Sequence, residues 1–235
     1  NYYLILKVLL NHQLMQIIVI SSKDKFRSEV VQVTKMFEAG LEVFHLRKPK
    51  FSQKRMEEYI KEIPEKYHNR VVIHSFHDLV KQYDLKGIHL TKRHKKKRFA
   101  VAWRNFLLKL KRPYLTISTS CHDLGKLRLY ANKYDYVMLS PVFDSISSNG
   151  GQAAYAHGAI KKAIKDAGGD KIVALGGLDA TNINAAKSLG FSGIALLGTL
   201  WYSNRKPIDV YNEVVDIEIG RTKPEVNINL IKVAI

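Results

Sequence analysis

Eight short runs rich in β-branched and aromatic residues recur along the chain, and stretches with helical periodicity separate them. This alternation is typical of parallel βα units, in which each strand is followed by a helix that covers the sheet. The predicted strands are Gln16–Ile20, Glu42–Leu46, Val71–His74, Gly87–Leu90, Tyr114–Ser118, Tyr136–Leu139, Ile172–Leu175 and Gly193–Leu197. Eight such units close a (βα)8 barrel, so the sequence predicts an α/β TIM barrel in a single domain.

Helical periodicity occupies the intervals between these runs. The predicted helices are Phe26–Ala39, Ser52–Ile63, Asp78–Tyr83, Val101–Lys109, Asp123–Asn132, Gly158–Ala167, Thr181–Ser188 and Pro207–Ile217. Ser52 and Thr181 are predicted N-caps, because their hydroxyls can accept hydrogen bonds from the first turn. Gly40, Gly168 and Gly190 are predicted to end the helices before strands two, seven and eight.

A doubly wound open sheet is the structural alternative. Such sheets more often have five or six strands and a glycine-rich turn after the first strand. Here Ser21-Ser22-Lys23-Asp24 follows the first strand, which favours the barrel. We assign residues 15–219 to the barrel, 1–14 to an N-terminal extension and 220–235 to a C-terminal tail.

Cysteine content and hydropathy indicate the compartment. Cys121 is the one cysteine, which excludes a disulfide scaffold and fits a reducing environment. Polar residues interrupt the apolar stretch Tyr2–Ile20 well before the roughly 20 apolar residues that a membrane span needs. No small-residue cleavage pattern of a signal peptide follows it. We therefore expect a cytoplasmic protein without a membrane partner.

The charge of the chain favours anionic partners. Lys and Arg number 38 against 21 Asp and Glu, a formal net charge of +17. The densest run, Lys92–Arg98, lacks interleaved aromatic residues on which bases could stack, so we expect a solvated loop and no specific nucleic-acid recognition. A non-catalytic protein that binds a phosphorylated ligand, or RNA through this run, stays open as an alternative.

Two glycine-containing turns are predicted at the carboxyl ends of neighbouring strands, where barrels hold their sites. Gly176-Gly177 follows strand seven, and Gly198-Thr199 follows strand eight. Such turns expose backbone N–H groups, and barrels often bind a phosphate at these two strands. We therefore predict a phosphate site, against the alternative that the glycines only make tight turns.

The loop after strand two is cationic. Arg47, Lys48 and Lys50 could together hold a pyrophosphate, because Arg47 offers a planar pair of donors and each lysine a point charge. The alternative is an exposed basic loop.

The predicted loop after strand five contains Ser120, Cys121 and His122. His122 has a side chain suited to proton transfer, and a neighbouring hydroxyl could orient it. A Cys121 nucleophile paired with His122 is the alternative, but the sequence suggests no third group to orient the pair.

Two further regions contain candidate functional residues. The loop after strand six, from Ser140 to Ser148, is rich in hydroxyls and would suit a lid or a substrate loop. His74 and His77 flank the end of strand three, yet no carboxylate or cysteine spacing completes a metal site, and His89 lies within strand four. The sequence therefore predicts no metal site.

Five motifs, in order and at strand spacing, carry a family resemblance. They are His45-Leu46-Arg47, Gly87-Ile88-His89-Leu90, Ser120-Cys121-His122, Asp135-Tyr136 with Ser140-Pro141-Val142-Phe143, and Ala174-Leu175-Gly176-Gly177-Leu178. Over Met15 to Ile217 the chain resembles the thiamine phosphate synthase and thiazole tautomerase superfamily, a group of TIM barrels.

The resemblance implies a reaction and roles for matched residues. The family synthase joins a hydroxymethylpyrimidine diphosphate to a thiazole phosphate and releases pyrophosphate. On that pattern Arg47 would bind the diphosphate with Ser120 near it, and Gly177, Leu197 and Gly198 would hold the thiazole phosphate. The remaining matched positions, implied to bind substrate, are His45, His74, Ser147 and Gly176.

The chain departs from the synthase pattern where that pattern places magnesium ligands. His74-Ser75 stands in place of Asn-Asp after strand three, and His94 in place of Asp after strand four. Magnesium prefers oxygen ligands, so the resemblance implies this cofactor while its expected carboxylates are missing.

The other branch of the superfamily shifts a proton on a thiazole carboxylate phosphate without a metal. On that pattern His122 is the acid or base, and a tautomerase is the alternative function. In either branch the partners are phosphorylated small molecules, and a homo-oligomer stays open.

Overall fold

A computed structural model describes residues 14–24, 27–91, 94, 98–144 and 155–221. Its strands are β1 (Gln16–Ile20), β2 (Val43–Leu46), β3 (Val71–Ile73), β4 (Gly87–Leu90), β5 (Thr116–Cys121), β6 (Tyr136–Leu139), β7 (Ile172–Leu175) and β8 (Gly193–Leu196). Each strand pairs in parallel with its neighbour in the chain, and β8 pairs with β1, so the sheet closes. The predicted TIM barrel is confirmed, and the open sheet is excluded.

Helices cover the outside of the barrel. The α-helices are α1 (Arg27–Glu38), α2 (Gln53–Glu62), α3 (Arg98–Lys111), α4 (Leu127–Lys133), α5 (His157–Asp166), α6 (Ile183–Leu189), α7 (Gly198–Trp201) and α8 (Pro207–Glu218). Short 3-10 helices lie at Glu65–Arg70, His77–Lys81 and Leu124–Lys126. The 3-10 segment at His77–Lys81 replaces the helix predicted after strand three, and the sequence did not suggest α7.

The fifth strand lies further along the chain than the sequence predicts. It begins at Thr116, which pairs with Gly87, and ends at Cys121. Tyr114, the predicted first residue, is 96% exposed. The prediction was wrong because it followed local β-propensity, whereas pairing with β4 sets the register. As a result Ser120 and Cys121 lie inside the strand, and only His122 follows it.

Alternation along the strands produces two separate cores. Inward-facing side chains fill the barrel interior, and they include Ile18, Ile20, Val43, Val72, Tyr136, Met138, Val173 and Ala195. Outward-facing side chains, such as Phe44 and Leu46 of β2, pack under the helices in a larger cluster. A residue's place in this alternation therefore decides whether it faces the interior or the helices.

The helix ends agree with most predicted caps. The Ser52 hydroxyl accepts a hydrogen bond from the Arg55 N–H, as predicted. Gly190 ends α6 in the left-handed region, also as predicted. The prediction for Thr181 was wrong: its N–H and hydroxyl both donate to the Asp179 carboxylate, and α6 begins after Asn182.

Within the described residues, no helix combines the length and the apolar character needed to cross a bilayer. The predicted N-terminal extension lies outside those residues except for Leu14, and so does the tail beyond Arg221. Most of the basic run from Lys92 to Arg98 also lies outside them.

Candidate active site

The turns after β7 and β8 meet at one cavity of about 420 Å³. Its lining includes Gly176 and Gly177 from the first turn and Leu197 and Gly198 from the second. All four are half-buried. The structure therefore brings together the four residues that the sequence singled out at these two strands.

The first turn can be built only with glycine. Gly176 and Gly177 have φ angles of +99° and +67°, in the left-handed region that side chains disfavour. A Cβ on Gly177 would also lie 2.3 Å from the carbonyl oxygen of Asp144. The loop after β6 thus packs directly on this turn, and the Phe143 N–H donates to the Gly176 carbonyl oxygen at 3.2 Å.

Several polar residues of the cavity were not predicted. Thr199, Tyr202 and Ser203 bring hydroxyl groups, and Asp144 and Asp179 bring carboxylates. Thr199 directly follows Gly198, so the sequence did contain a signal for this hydroxyl, whereas Tyr202 and Ser203 lie beyond the intervening helix α7. Hydroxyls suit a phosphorylated ligand, whereas the carboxylates oppose a second anion, so the cavity favours one phosphate group.

The cations after β2 separate according to strand alternation. Val43 faces the barrel interior, and His45 and Arg47 follow it on the same side. Arg47 is half-buried and Lys50 is exposed. The Arg47 N–H donates to the Ser21 hydroxyl at 2.8 Å, which ties this loop to the end of β1.

Lys48 lies on the outward side, away from the place expected of a substrate ligand. Its ammonium group forms an ion pair with Glu29 of α1 at 2.8 Å, and both side chains are fully buried. The Tyr59 hydroxyl donates to the same carboxylate at 2.5 Å. Burial lowers the pKa of Lys48, and attraction to Glu29 acts in the opposite direction. Lys48 is thus a structural cation, and of the three predicted anion ligands after β2 only Arg47 and Lys50 remain as predictions.

His122 is exposed at the carboxyl end of β5, and its tautomer is fixed by a hydrogen bond. Its Nδ1 lies 2.7 Å from the carbonyl oxygen of Ser140. A carbonyl oxygen only accepts, so Nδ1 carries the hydrogen, and Nε2 of the neutral ring has a free lone pair. His122 is therefore oriented to accept a proton through Nε2.

The structure separates the other two residues predicted beside His122. Ser120 faces the barrel interior, where its Oγ lies 3.1 Å from Nε2 of His89. Cys121 faces outward, is 2% exposed and packs in the outer core. Its thiol donates to the Asp123 carbonyl oxygen at 3.1 Å. Cys121 therefore has a packing role, and a Cys121–His122 pair facing a substrate is not supported.

Three histidines lie together in the barrel interior. His45, His74 and His89 are buried, with 0%, 7% and 2% of their surfaces exposed. Nδ1 of His45 lies 2.9 Å from Nε2 of His74, and Nε2 of His45 lies 2.5 Å from the Tyr136 hydroxyl. Nδ1 of His89 lies 2.9 Å from the Ser118 hydroxyl. Ser118 and Ser120 thus hold both nitrogens of His89.

Electrostatics keep the imidazoles of His45 and His74 neutral. Burial lowers the pKa of His45 well below its usual range, and the positive form of His89 adds to the effect. Burial also lowers the pKa of His74, with His89, His45 and Arg47 as further positive neighbours. Burial raises the pKa of Tyr136, so its hydroxyl keeps its proton.

A second histidine pair lies beyond β3. The rings of His77 and His94 are 4.5 Å apart, and the Arg104 guanidinium donates to Nδ1 of His77 at 3.1 Å. Burial lowers the pKa of His77 to about 3, and the charges of His94 and Arg104 add to the shift. His77 is therefore a neutral, buried group.

The histidines that stand where the synthase pattern has carboxylates do not fit magnesium. His74 and His94 offer ring nitrogens where carboxylates would be needed. Among the described residues, the one group of three or more potential metal ligands is His45, His74 and His89. Magnesium prefers oxygen ligands in octahedral geometry, which three imidazoles do not provide. Ser147, the remaining predicted substrate residue, lies outside the described residues.

Comparisons with known proteins agree with the fold. The family model for thiamine monophosphate synthase matches residues 16–200. A thiamine phosphate pyrophosphorylase structure from Bacteroides thetaiotaomicron is 30% identical, with 86% of this chain and 97% of that chain covered and a TM-score of 0.70. A search of curated proteins finds no match.

A second solved structure shows the same fold at lower identity. It is the thiamine phosphate pyrophosphorylase from Pyrococcus furiosus, which is 19% identical, with 89% and 98% of the two chains covered and a TM-score of 0.65.

Proposed function

We propose, from the premise that this chain belongs to the thiamine monophosphate synthase family, that it joins hydroxymethylpyrimidine diphosphate to thiazole phosphate. The observation that carries the proposal is the cavity shared by the Gly177 and Gly198 turns. This cavity suits one phosphate group, as the phosphorylated thiazole requires. The 30% identical relative is named a thiamine phosphate pyrophosphorylase, which supports the same reaction.

In this reaction the bond between the pyrimidine methylene carbon and the diphosphate oxygen breaks, and the diphosphate departs with the electron pair. The thiazole nitrogen then donates its lone pair to that carbon. The protein's task is to stabilise the departing anion and to hold the nitrogen close to the carbon. Arg47 is the candidate for the first task and Lys50 assists it, whereas Lys48 is committed to Glu29.

The test is incubation of the purified protein with both phosphorylated substrates, followed by measurement of thiamine phosphate and diphosphate. We expect product from the wild type and at least about tenfold less from Arg47→Gln. Lys54→Gln is the matched control, because Lys54 is an exposed cation on α2. No product above the blank at high enzyme concentration would overturn the proposal.

A second candidate function is a thiazole tautomerase, and the orientation of His122 favours it. The Ser140 carbonyl oxygen holds Nδ1, so that Nε2 can accept a proton from a thiazole carboxylate phosphate. The residues present do not fit magnesium, and this proton shift needs no metal. Turnover of the thiazole carboxylate phosphate alone, with no product from the pyrimidine diphosphate, would move the assignment to the tautomerase.

A further inference from the structure

We propose that His45, His74 and His89 form a binding site for a divalent transition-metal ion that prefers nitrogen ligands. One ring nitrogen from each histidine lies within 4.8 Å of the other two. Three histidines with an open fourth position are a known arrangement for zinc. The proposal stands independently of the reaction assigned above, because metal binding can be measured without either substrate.

The position of the cluster argues for a ligand. Barrel interiors are usually filled by Val, Ile and Leu, as they are at Val43 and Val72 here. The three histidines come from three adjacent strands or strand ends, and all are more than nine-tenths buried. Three buried imidazoles in a barrel interior cost free energy unless partners offset their desolvation, and one bound ion would contact all three rings.

The present contacts of the ring nitrogens indicate which atoms would coordinate the ion. Nδ1 of His45 and Nε2 of His74 face each other at 2.9 Å. Two nitrogens on one tetrahedral zinc ion are about 3.3 Å apart, so this pair needs to open by only a few tenths of an ångström. Nε2 of His89 is the third atom, and the Ser120 hydroxyl that now contacts it would move away.

The His89 ring must also tilt. It stacks on the His74 ring at 4.2 Å with 19° between the planes, whereas both rings must point at one ion. Tyr136 and Ser118 would remain as partners of the second nitrogens of His45 and His89. Such partners commonly orient metal-binding imidazoles.

The chemistry of the donors selects the class of metal. Neutral imidazole suits zinc, cobalt, nickel and copper, whereas magnesium requires oxygen. Arg47 follows His45 in the chain on the same side of β2, at the carboxyl end of the strand. We therefore expect the fourth position to take a water molecule or an anionic oxygen, with Arg47 as a second positive charge beside it.

The experiment uses the full chain after treatment with a chelator. Titration with Co²⁺ should give the visible absorption bands of a four-coordinate ion at one equivalent, and calorimetry with Zn²⁺ should give the same stoichiometry. We expect His74→Ala and His89→Ala to weaken Zn²⁺ binding by about 100-fold or more. His157→Ala, at an exposed histidine of α5, should bind as the wild type does.

Thermal unfolding guards against variants that fail to fold. Zn²⁺ should raise the melting temperature of the wild type and of His157→Ala, but not that of His74→Ala. No cobalt bands and no heat with the wild type would overturn the metal site. Bands retained in both His74→Ala and His89→Ala would also overturn it, because the ion would then bind elsewhere.

Discussion

Replacement of Gly177 by alanine tests the turn on which the candidate site depends. The φ angle of +67° would cost a side chain about 1–2 kcal/mol. The new Cβ would lie 2.3 Å from the Asp144 carbonyl oxygen and 2.6 Å from the Phe143 carbonyl carbon. Because the backbone must move to relieve this contact, overpacking should lower the folding free energy by about 1–3 kcal/mol more. The expected loss of folding free energy is therefore about 3 kcal/mol.

Substitutions at two other glycines separate the backbone cost of a positive φ angle from the cost of the close contact. Gly168→Ala has a similar backbone cost, with φ at +89°, but a Cβ there meets nothing within 4 Å, so we expect a loss of about 1–2 kcal/mol. Gly158→Ala lies in α5, has open space and a helical φ, and should be neutral or stabilising by up to about 1 kcal/mol.

Urea unfolding measures the three folding free energies, and calorimetry measures the affinity for thiazole phosphate. We expect Gly177→Ala to weaken that affinity by at least about tenfold, which corresponds to 1.4 kcal/mol, and the other two variants to leave it unchanged. Wild-type affinity in Gly177→Ala, with a stability equal to that of Gly168→Ala, would show that the close contact at Gly177 supports neither the fold nor the site.

Three further predictions follow from side chains that the structure places. Under the tautomerase alternative, His122→Ala should slow isomerisation of the thiazole carboxylate phosphate by about 100-fold or more while phosphate binding persists, because the proton acceptor is lost. Lys48→Met should lower the free energy of unfolding by about 3–5 kcal/mol, since the buried Glu29 carboxylate loses its partner, and Glu29→Gln in the same chain should restore part of it. Stability should fall as the pH drops from 6.5 towards 3, because His77 takes up a proton in the unfolded chain but stays neutral in the folded one, and His77→Gln should make this decline shallower.

Each of these has a contradicting result. Unchanged isomerisation in His122→Ala would remove the histidine from the chemistry. A Lys48→Met protein as stable as the wild type in urea would show that the ion pair contributes little. Urea unfolding at a series of pH values would contradict the neutral state of His77 if the free energy of unfolding declined equally with falling pH in the wild type and in His77→Gln.

The fold could be predicted from local pattern because eight strand and helix signals repeat in order. The fifth strand shows the limit of that reasoning. A Cβ on Gly87 would lie 2.2 Å from the Thr116 carbonyl oxygen, so β4 and β5 approach closely there and fix the pairing. Local propensity around Tyr114 carries no information about this contact, and the predicted strand was therefore displaced.

The candidate site was predictable from the sequence only where its residues lie in a short turn directly after a strand. Gly177 and Gly198 each lie directly after a strand, and the barrel places neighbouring strand ends together. The role of Lys48 depends on its ion pair with Glu29, which lies on the preceding helix α1. No sequence motif links the two positions, so the pair could not be predicted from the sequence. Strand alternation does place Arg47 and Lys48 on opposite sides of the strand, so their different surroundings are predictable from the sequence.

The histidine cluster likewise depends on contacts between residues that are distant in the sequence. His45, His74 and His89 are far apart in the chain, and no short spacing joins them into a metal motif. Only the closed sheet brings their rings together. The prediction that no metal site exists came from sequence spacing, and the structure offers the juxtaposition on which the opposite proposal is based.

The most direct measurement is a crystal structure of the protein with thiazole phosphate bound. We expect the phosphate in the cavity after β7 and β8, with its oxygens within hydrogen-bond distance of the backbone N–H groups of Gly177 and Gly198. A phosphate bound beside Arg47 with that cavity unchanged, or no bound ligand at saturating concentration, would contradict it.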